Sequence, residues 1–336
     1  MFLLKVAFLG DLHFYDGDCR AHKNYYQNCI DRLNEITAEF KTSKPDYIIL
    51  SGDIIGISER VLRTRAGLML FSKYLQVWNE ISNNHVYTVQ GNHDISRGES
   101  VTDFDLLCSI NLLKRADFVD INGLRVHLVD YGCEQRELDI DPSKHNFAVT
   151  HADLQIDGFT NWYRQTSNPI ALSSLKNFKG IELIFGGHIH VPSPRLFGTS
   201  IADTSVNLLY LGCPTRSGRK DNWSGIYIGY ADCLDDGNVS VSVKTLVLPK
   251  LEDLLVEISA DEDEEKAGSP EDIPVVDIET LKEILNSVGD ISGTEEEYRS
   301  QIKRLAGADT AAAEMALKYI EYADEHAQVI NKEVTK

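Results

Sequence analysis

Five strand-sized apolar runs in this chain each end in a short polar motif, and that repeated pairing constrains the fold more than any other feature. Leu3–Leu9 runs into Gly10-Asp11-Leu12-His13, and Tyr47–Leu50 into Ser51-Gly52-Asp53. Residues 85–89 lead to Gln90-Gly91-Asn92-His93-Asp94, residues 146–149 to Thr150-His151, and residues 181–185 to Gly186-Gly187-His188-Ile189-His190. Between the first three runs lie two helix-length stretches. The stretch 23–41 carries Ile30, Leu33, Ile36 and Phe40 at helical spacing and is stopped by Pro45; a second helix is expected over 63–81. Strand, loop, helix, strand is the pattern of an α/β fold. Beyond Val119 the runs are short and strand-like, at 124–129, 146–149, 181–185, 208–211, 225–229 and 240–248. The expected architecture is a two-sheet β-sandwich flanked by helices, followed by a C-terminal helical tail.

Charge divides the chain. The net charge is −19, but residues 251–336 hold 23 acidic and 8 basic side chains (−15), leaving 29 and 25 (−4) in residues 1–250. An acidic chain argues against a nucleic-acid binder. That argument weakens once the tail is set aside, because bound metal ions supply positive charge that side chains do not. Residues 1–250 read as the catalytic domain. Residues 251–275, with Asp261-Glu262-Asp263-Glu264-Glu265 and Gly268-Ser269-Pro270, read as an acidic linker, and 276–336 as a helical partner-docking tail. The six cysteines are scattered, as expected of reduced thiols. No run is long enough to span a membrane and no signal peptide is legible at the N-terminus, so the expected location is cytoplasmic.

Each motif alone has an ordinary reading: Asp-x-His as a turn with a surface His, Gly-Asp as chance, a lone His151 as a packed side chain. Taken together at strand ends, carboxylates, an amide oxygen and imidazoles suit divalent ions of intermediate hardness such as Mn²⁺, Fe²⁺ or Zn²⁺. Two such ions about 3.5–4 Å apart would clamp a phosphate. Three further groups admit two readings each. Arg216, Arg219 and Lys220 read equally as a phosphate-backbone contact or a solvated loop. Trp162, Tyr163 and Arg164 read as a base-stacking surface or self-packing aromatics, and Arg60, Arg63 and Arg65 as substrate-facing or solvated charges.

The five motifs resemble the motif series of the calcineurin-like metallophosphoesterases. The resemblance implies a dinuclear centre, with Asp11, His13, Asp53 and His190 around one ion and Asp53, Asn92, His151 and His188 around the other. It implies that His93 faces the scissile phosphate and that Asp94 orients it. The stretch Leu209-Tyr210-Leu211-Gly212-Cys213-Pro214-Thr215, followed by Asp221-Asn222-Trp223-Ser224-Gly225-Ile226-Tyr227, is similar to the block that closes the phosphoesterase domain of Mre11/SbcD-type DNA nucleases. The acidic linker and terminal helices resemble the short phage recombination nucleases of that type. This second resemblance implies a DNA exonuclease and endonuclease with two divalent ions, Mn²⁺ the expected metal, acting in DNA repair and recombination. It also implies a homodimer through the helices at 23–41 and 63–81, and a Rad50/SbcC-like SMC-type ATPase held by the C-terminal helices. Leu68, Met69, Phe71, Leu75 and Trp78 give the second helix more apolar surface than one buried face needs. The chain departs from the family at Gly56, where cellular members carry a second active-site His, and it leaves little room for a separate DNA-capping domain. A cyclic-nucleotide or other small-molecule phosphodiesterase would use the same motifs, and a non-catalytic scaffold would share the fold. A Ser/Thr protein phosphatase fits less well, since Ile54-Ile55-Gly56-Ile57 follows Asp53 in place of Asp-Arg-Gly.

Overall fold

The structure, a computed structural model, describes residues 3–17, 24–56, 64–95, 102–155, 169–193, 196–201, 204–215 and 224–249. The chain divides into two units, Met1–Val256 and Glu257–Lys336, and every described residue lies in the first. All of the acidic linker and all of the C-terminal tail fall outside the described residues, as do Arg60, Arg63, Trp162, Tyr163, Arg164, Arg216, Arg219 and Lys220.

The first half runs β1 (Leu3–Leu9), α1 (Tyr25–Ser43), β2 (Tyr47–Leu50), α2 (Arg65–Ile81), β3 (Val86–Thr88) and α3 (Asp103–Ser109). Then come β4 (Phe118–Ile121), β5 (Leu124–Val129), β6 (His145–His151), β7 (Leu154–Gln155), β8 (Ile170–Ala171) and β9 (Leu183–Gly187). The last four strands are β10 (Phe197–Ile201), β11 (Thr204–Tyr210), β12 (Gly225–Leu234) and β13 (Val239–Val247). Both long helices begin two residues later than their periodicity suggests. Local chemistry sets the ends: Thr64 accepts the Gly67 N–H to cap α2, and Lys44 (φ 47°) turns left-handed to close α1 just before Pro45. The sequence reading missed α3, although Thr102 and Asp105 form a reciprocal capping box at its start. It also missed β4 and the edge strand β10, whose Gly-Thr-Ser centre lacks an apolar run.

One sheet has the order β13-β12-β1-β2-β3, the other β10-β11-β9-β6-β5-β4, and β7 and β8 form a small separate pair. Their inner faces pack together through Val6, Phe8 and Ile49 from one sheet and Val126, Phe147, Phe185 and Leu209 from the other. The Phe8 and Phe185 rings stack with centroids 4.0 Å apart. Each such fully buried ring contributes roughly 1.5–3 kcal/mol. A second cluster fills the far face of the six-stranded sheet, where Ile184, Leu208 and Tyr210 meet Leu172, Leu175 and Phe178. Helix α1 meets α2 through Phe40 against Trp78, whose Nε1 donates to Thr37 Oγ1 at 2.8 Å. The surplus apolar surface expected on α2 is consumed inside the chain: Leu68, Met69, Phe71, Leu75 and Trp78 are all buried. No described helix is long and apolar enough to cross a membrane.

The topology positions the site. Strands β1, β2 and β3 run parallel in one sheet, and β5, β6, β9 and β11 run parallel in the other. Among the described residues, seven parallel strands therefore deliver their C-terminal ends as loops, the usual location of α/β ligand sites.

Candidate metal centre

Asp11 and His13 follow β1, Asp53 follows β2, and Asn92, His93 and Asp94 follow β3. His151 ends β6, and His188 and His190 follow β9. These nine side chains, read from sequence as site residues, come to one place. Three of them sit in the left-handed region, His13 at φ 45°, Asp53 at 47° and His188 at 74°. For residues with a Cβ that conformation costs roughly 1 kcal/mol or more each, so the surrounding structure must hold it. Much of that support is backbone. His13 N donates to Asp53 O at 2.9 Å, Phe14 N to Ile54 O at 3.1 Å and Gly56 N to Phe14 O at 2.9 Å, zipping the first two loops together. Gly91 and Gly187 let the loops close. A Cβ on Gly91 would collide with Asp53, and one on Gly187 with Asp11 and Ser51.

Asp53 is the hub. Its Oδ2 lies 3.1 Å from His151 Nε2, 3.4 Å from His13 Nε2 and 3.9 Å from His93 Nε2, while its Oδ1 accepts the His93 backbone N–H at 2.8 Å. On one side, ligand-type atoms of Asp11, His13 and Asp53 lie within 4.8 Å of one another; on the other, so do those of Asp53, His151 and His188. Asn92 Oδ1 joins the second group, 3.0 Å from His151 Nε2 and 2.9 Å from His188 Nδ1. His190 Nε2 stands 3.0 Å from His13 Nε2 and 4.0 Å from Asp11 Oδ2.

The imidazoles are oriented from behind. His13 Nδ1 is 2.8 Å from the Gly56 carbonyl and His151 Nδ1 is 2.8 Å from the Ser51 carbonyl. A carbonyl only accepts, so each Nδ1 carries the proton and each Nε2 is left to face the Asp53 carboxylate. Gly56 thus supplies the carbonyl that orients His13, and at φ 88° its position favours glycine.

The electrostatics are those of a site built around cations. Burial lowers His13 to about 3 and His188 to about 4, the nearby His151 adding to the second effect. His151 goes the other way, to about 10: burial opposes its charge, but Asp53 and Asp11 outweigh burial. Burial raises Asp11 to about 6, and burial with the neighbouring Asp53 raises Asp94 to about 8. Asp53 itself is held well below the carboxylate range despite burial, because His151, His13 and His93 surround it. Oxygen and imidazole atoms converging on shared buried space are a donor set that divalent cations fit.

Three contributors were given no site role from the sequence, although Cys213 and Thr215 lie in the stretch likened to the closing block of the nucleases. Cys213 groups with His13 and His190, again within 4.8 Å, and its N–H donates to His190 O at 2.9 Å. Its signal was available, since Gly212-Cys213 also ends an apolar run. Thr215 ties the same loop to β1: its hydroxyl donates to Leu12 O at 3.1 Å and lies 3.0 Å from the Tyr25 hydroxyl of α1. Tyr131, after β5, reaches the rings of His151 and His188. The calcineurin-like phosphoesterase family matches residues 4–192 of this chain. No curated protein matches the sequence.

Proposed function

The chain belongs to the calcineurin-like phosphoesterase family, and from that premise we propose that it is a metal-dependent DNA nuclease of the Mre11/SbcD type. The observation that carries the hydrolytic part is the shared carboxylate: Asp53 faces His13 on one side and His151 on the other at 3.4 and 3.1 Å. Asp11, His13, Asp53 and His190 would hold one divalent ion, and Asp53, Asn92, His151 and His188 the second, with Mn²⁺ the expected metal. When bound, two such ions supply Lewis acidity toward a phosphate and lower the pKa of water. The chain's own residues do the rest. His151 and His13 are fixed by their carbonyl partners, so their Nε2 atoms need no reorganisation. His93, held by its backbone to Asp53 and partly exposed, offers an imidazole at the mouth of the site, where it would hand a proton to the leaving oxygen.

The preference for DNA is supported by the segment after β11. The Gly212-Cys213-Pro214-Thr215 stretch, similar to the closing block of the nucleases, lies against His190 and the loop after β1, beside the candidate ligands. Docking of an SMC-type ATPase by residues 276–336 belongs to the same reading, and so does a homodimer through α1 and α2, which would have to use residues other than the buried Leu68, Met69, Phe71, Leu75 and Trp78. Purified protein supplied with Mn²⁺ should cleave labelled duplex or single-stranded DNA, with bis(p-nitrophenyl) phosphate and cyclic nucleotides run in parallel. Turnover confined to the cyclic nucleotides would replace the nuclease with a small-molecule diesterase.

A further inference from the structure

Five of the seven parallel strand ends, those of β1, β2, β3, β6 and β9, present the motif residues of the site, and a sixth, that of β11, leads into the Gly212–Thr215 stretch. The seventh, β5, presents Tyr131, which no motif announces. Its backbone is pinned. Tyr131 N donates to Gln90 O at 2.9 Å, and the preceding Asp130 Oδ1 accepts Gln90 N–H at 2.7 Å while its other oxygen pairs with Arg115. Tyr131 is thereby fixed to the residue directly before Gly91-Asn92. Its ring centroid lies 5.8 Å from that of His188 and 6.2 Å from that of His151. Yet the residue is 41% exposed, whereas the aromatic residues of the core are almost fully buried. A ring on a pinned backbone, beside two candidate ligands and with much of its surface in water, is poorly used by packing alone. It is well placed for a group carried by the substrate.

We propose that Tyr131 is the stacking wall of a subsite for the base of a nucleoside whose sugar is esterified to the reacting phosphate. The proposal rests on the phosphodiesterase reading above and adds what that reading lacks, a residue that recognises the part of the substrate beyond phosphorus. Aromatic faces accept any base, since every base has a π-face, so the subsite would favour nucleotide esters over plain ones without reading sequence.

The test uses two diesters with the same leaving group, thymidine 5′-(p-nitrophenyl phosphate) and methyl p-nitrophenyl phosphate, and full-length protein supplied with Mn²⁺. Tyr131→Ala should lower kcat/KM for the thymidine ester about tenfold more than for the methyl ester, the scale of losing one stacked base. Tyr131→Phe, which keeps the ring, should lower the two alike. If Tyr131→Ala reduces both esters equally, Tyr131 only shields the histidines and the subsite is refuted, while the phosphodiesterase reading stands. If wild-type protein hydrolyses neither ester, the phosphodiesterase reading falls, and the subsite with it.

Discussion

Asp94 accepts the backbone N–H of Ile54 at 3.0 Å, joining the loop that carries Asn92 to the loop that carries Asp53. The same oxygen reaches the Ile55 N–H at 3.4 Å, and the other takes the Gly91 N–H at 2.9 Å. The resemblance gave Asp94 the task of orienting His93. The bonds seen here give it a second one, clamping two strand-end loops so that Asp53 holds its left-handed turn. Asp94→Ala would leave three N–H groups without this acceptor, all of them in buried residues. Each unsatisfied buried group costs about 1–3 kcal/mol, so the variant should lose about 2–4 kcal/mol in urea unfolding and bind divalent ions more weakly. An unfolding midpoint equal to wild type would remove the clamp.

Asp53→Asn tests the hub. The amide keeps the shape of the side chain and one oxygen, but it removes the charge that two cations would share. Elemental analysis after equilibration with Mn²⁺ should show at least one ion lost per chain, with hydrolysis of bis(p-nitrophenyl) phosphate falling in step. Full occupancy with undiminished turnover would be incompatible with a bridging Asp53.

His93→Ala should behave differently. The imidazole stands 3.9 Å from Asp53 Oδ2 and outside the tight ligand groups. Metal content should therefore persist while turnover drops roughly 10²-fold or more, the scale of general acid–base catalysis. A variant that loses its ions and regains activity in excess Mn²⁺ would make His93 a ligand.

Legibility in the sequence followed the physical range of each signal. Leu3–Leu9 and Tyr47–Leu50 were readable because a buried parallel strand is a continuous apolar run with a polar stop. The nine motif residues were readable because each lies directly after such a stop. Tyr131 was not, since Asp130-Tyr131 is an ordinary dipeptide until β5 is placed beside β6 across Leu128 and Val149. The clamp by Asp94 and the carbonyls of Ser51 and Gly56 were equally hidden. Backbone partners across about 40 to 100 residues leave no mark on side-chain spacing. The surplus apolar surface of α2 misled for the converse reason. A helix between a sheet and a neighbouring helix buries more than one face, and only tertiary placement shows it.

Away from the metal centre, Asp103 makes stability depend on pH. Burial, with Asp16 nearby, raises its carboxyl from an ordinary 3.8 to about 6. Between those values the folded chain keeps a proton that the unfolded chain releases. Stability from this group therefore falls as pH rises from about 4 to about 6, and the cost is fully present above. Asp103→Asn should leave stability unchanged below pH 4 and raise it at pH 7–8. Two pKa units would set a ceiling of about 3 kcal/mol; partial exposure and a favourable position in the first turn of α3 reduce the expected gain to about 1 kcal/mol. Urea titrations at pH 4 and pH 7.5 would show it, and an equal effect at both would exclude ionisation as the cause.

The last prediction concerns residues 276–336. Ile278, Leu281, Ile284, Leu285 and Val288 recur at helical spacing, Leu305, Met315, Leu317, Tyr319 and Ile320 add apolar surface later, and five consecutive acids at 261–265 precede them. Helices of this length are marginal in water unless their apolar stripe is covered, and an acidic linker has too little apolar surface to do the covering. A partner helix is the natural cover, because amphipathic stripes dock into grooves or coiled coils. The strands and loops that assemble Asp11 through His190 all end before residue 250, so the catalytic unit should survive without the tail. Truncation at about residue 260 should keep Mn²⁺ binding and hydrolysis of bis(p-nitrophenyl) phosphate at wild-type levels, and should abolish co-purification with an SMC-type ATPase. If the truncated chain retains the ATPase with unchanged affinity, the docking surface lies within residues 1–260. If truncation abolishes metal binding instead, the tail completes the catalytic unit and the division near residue 250 is wrong.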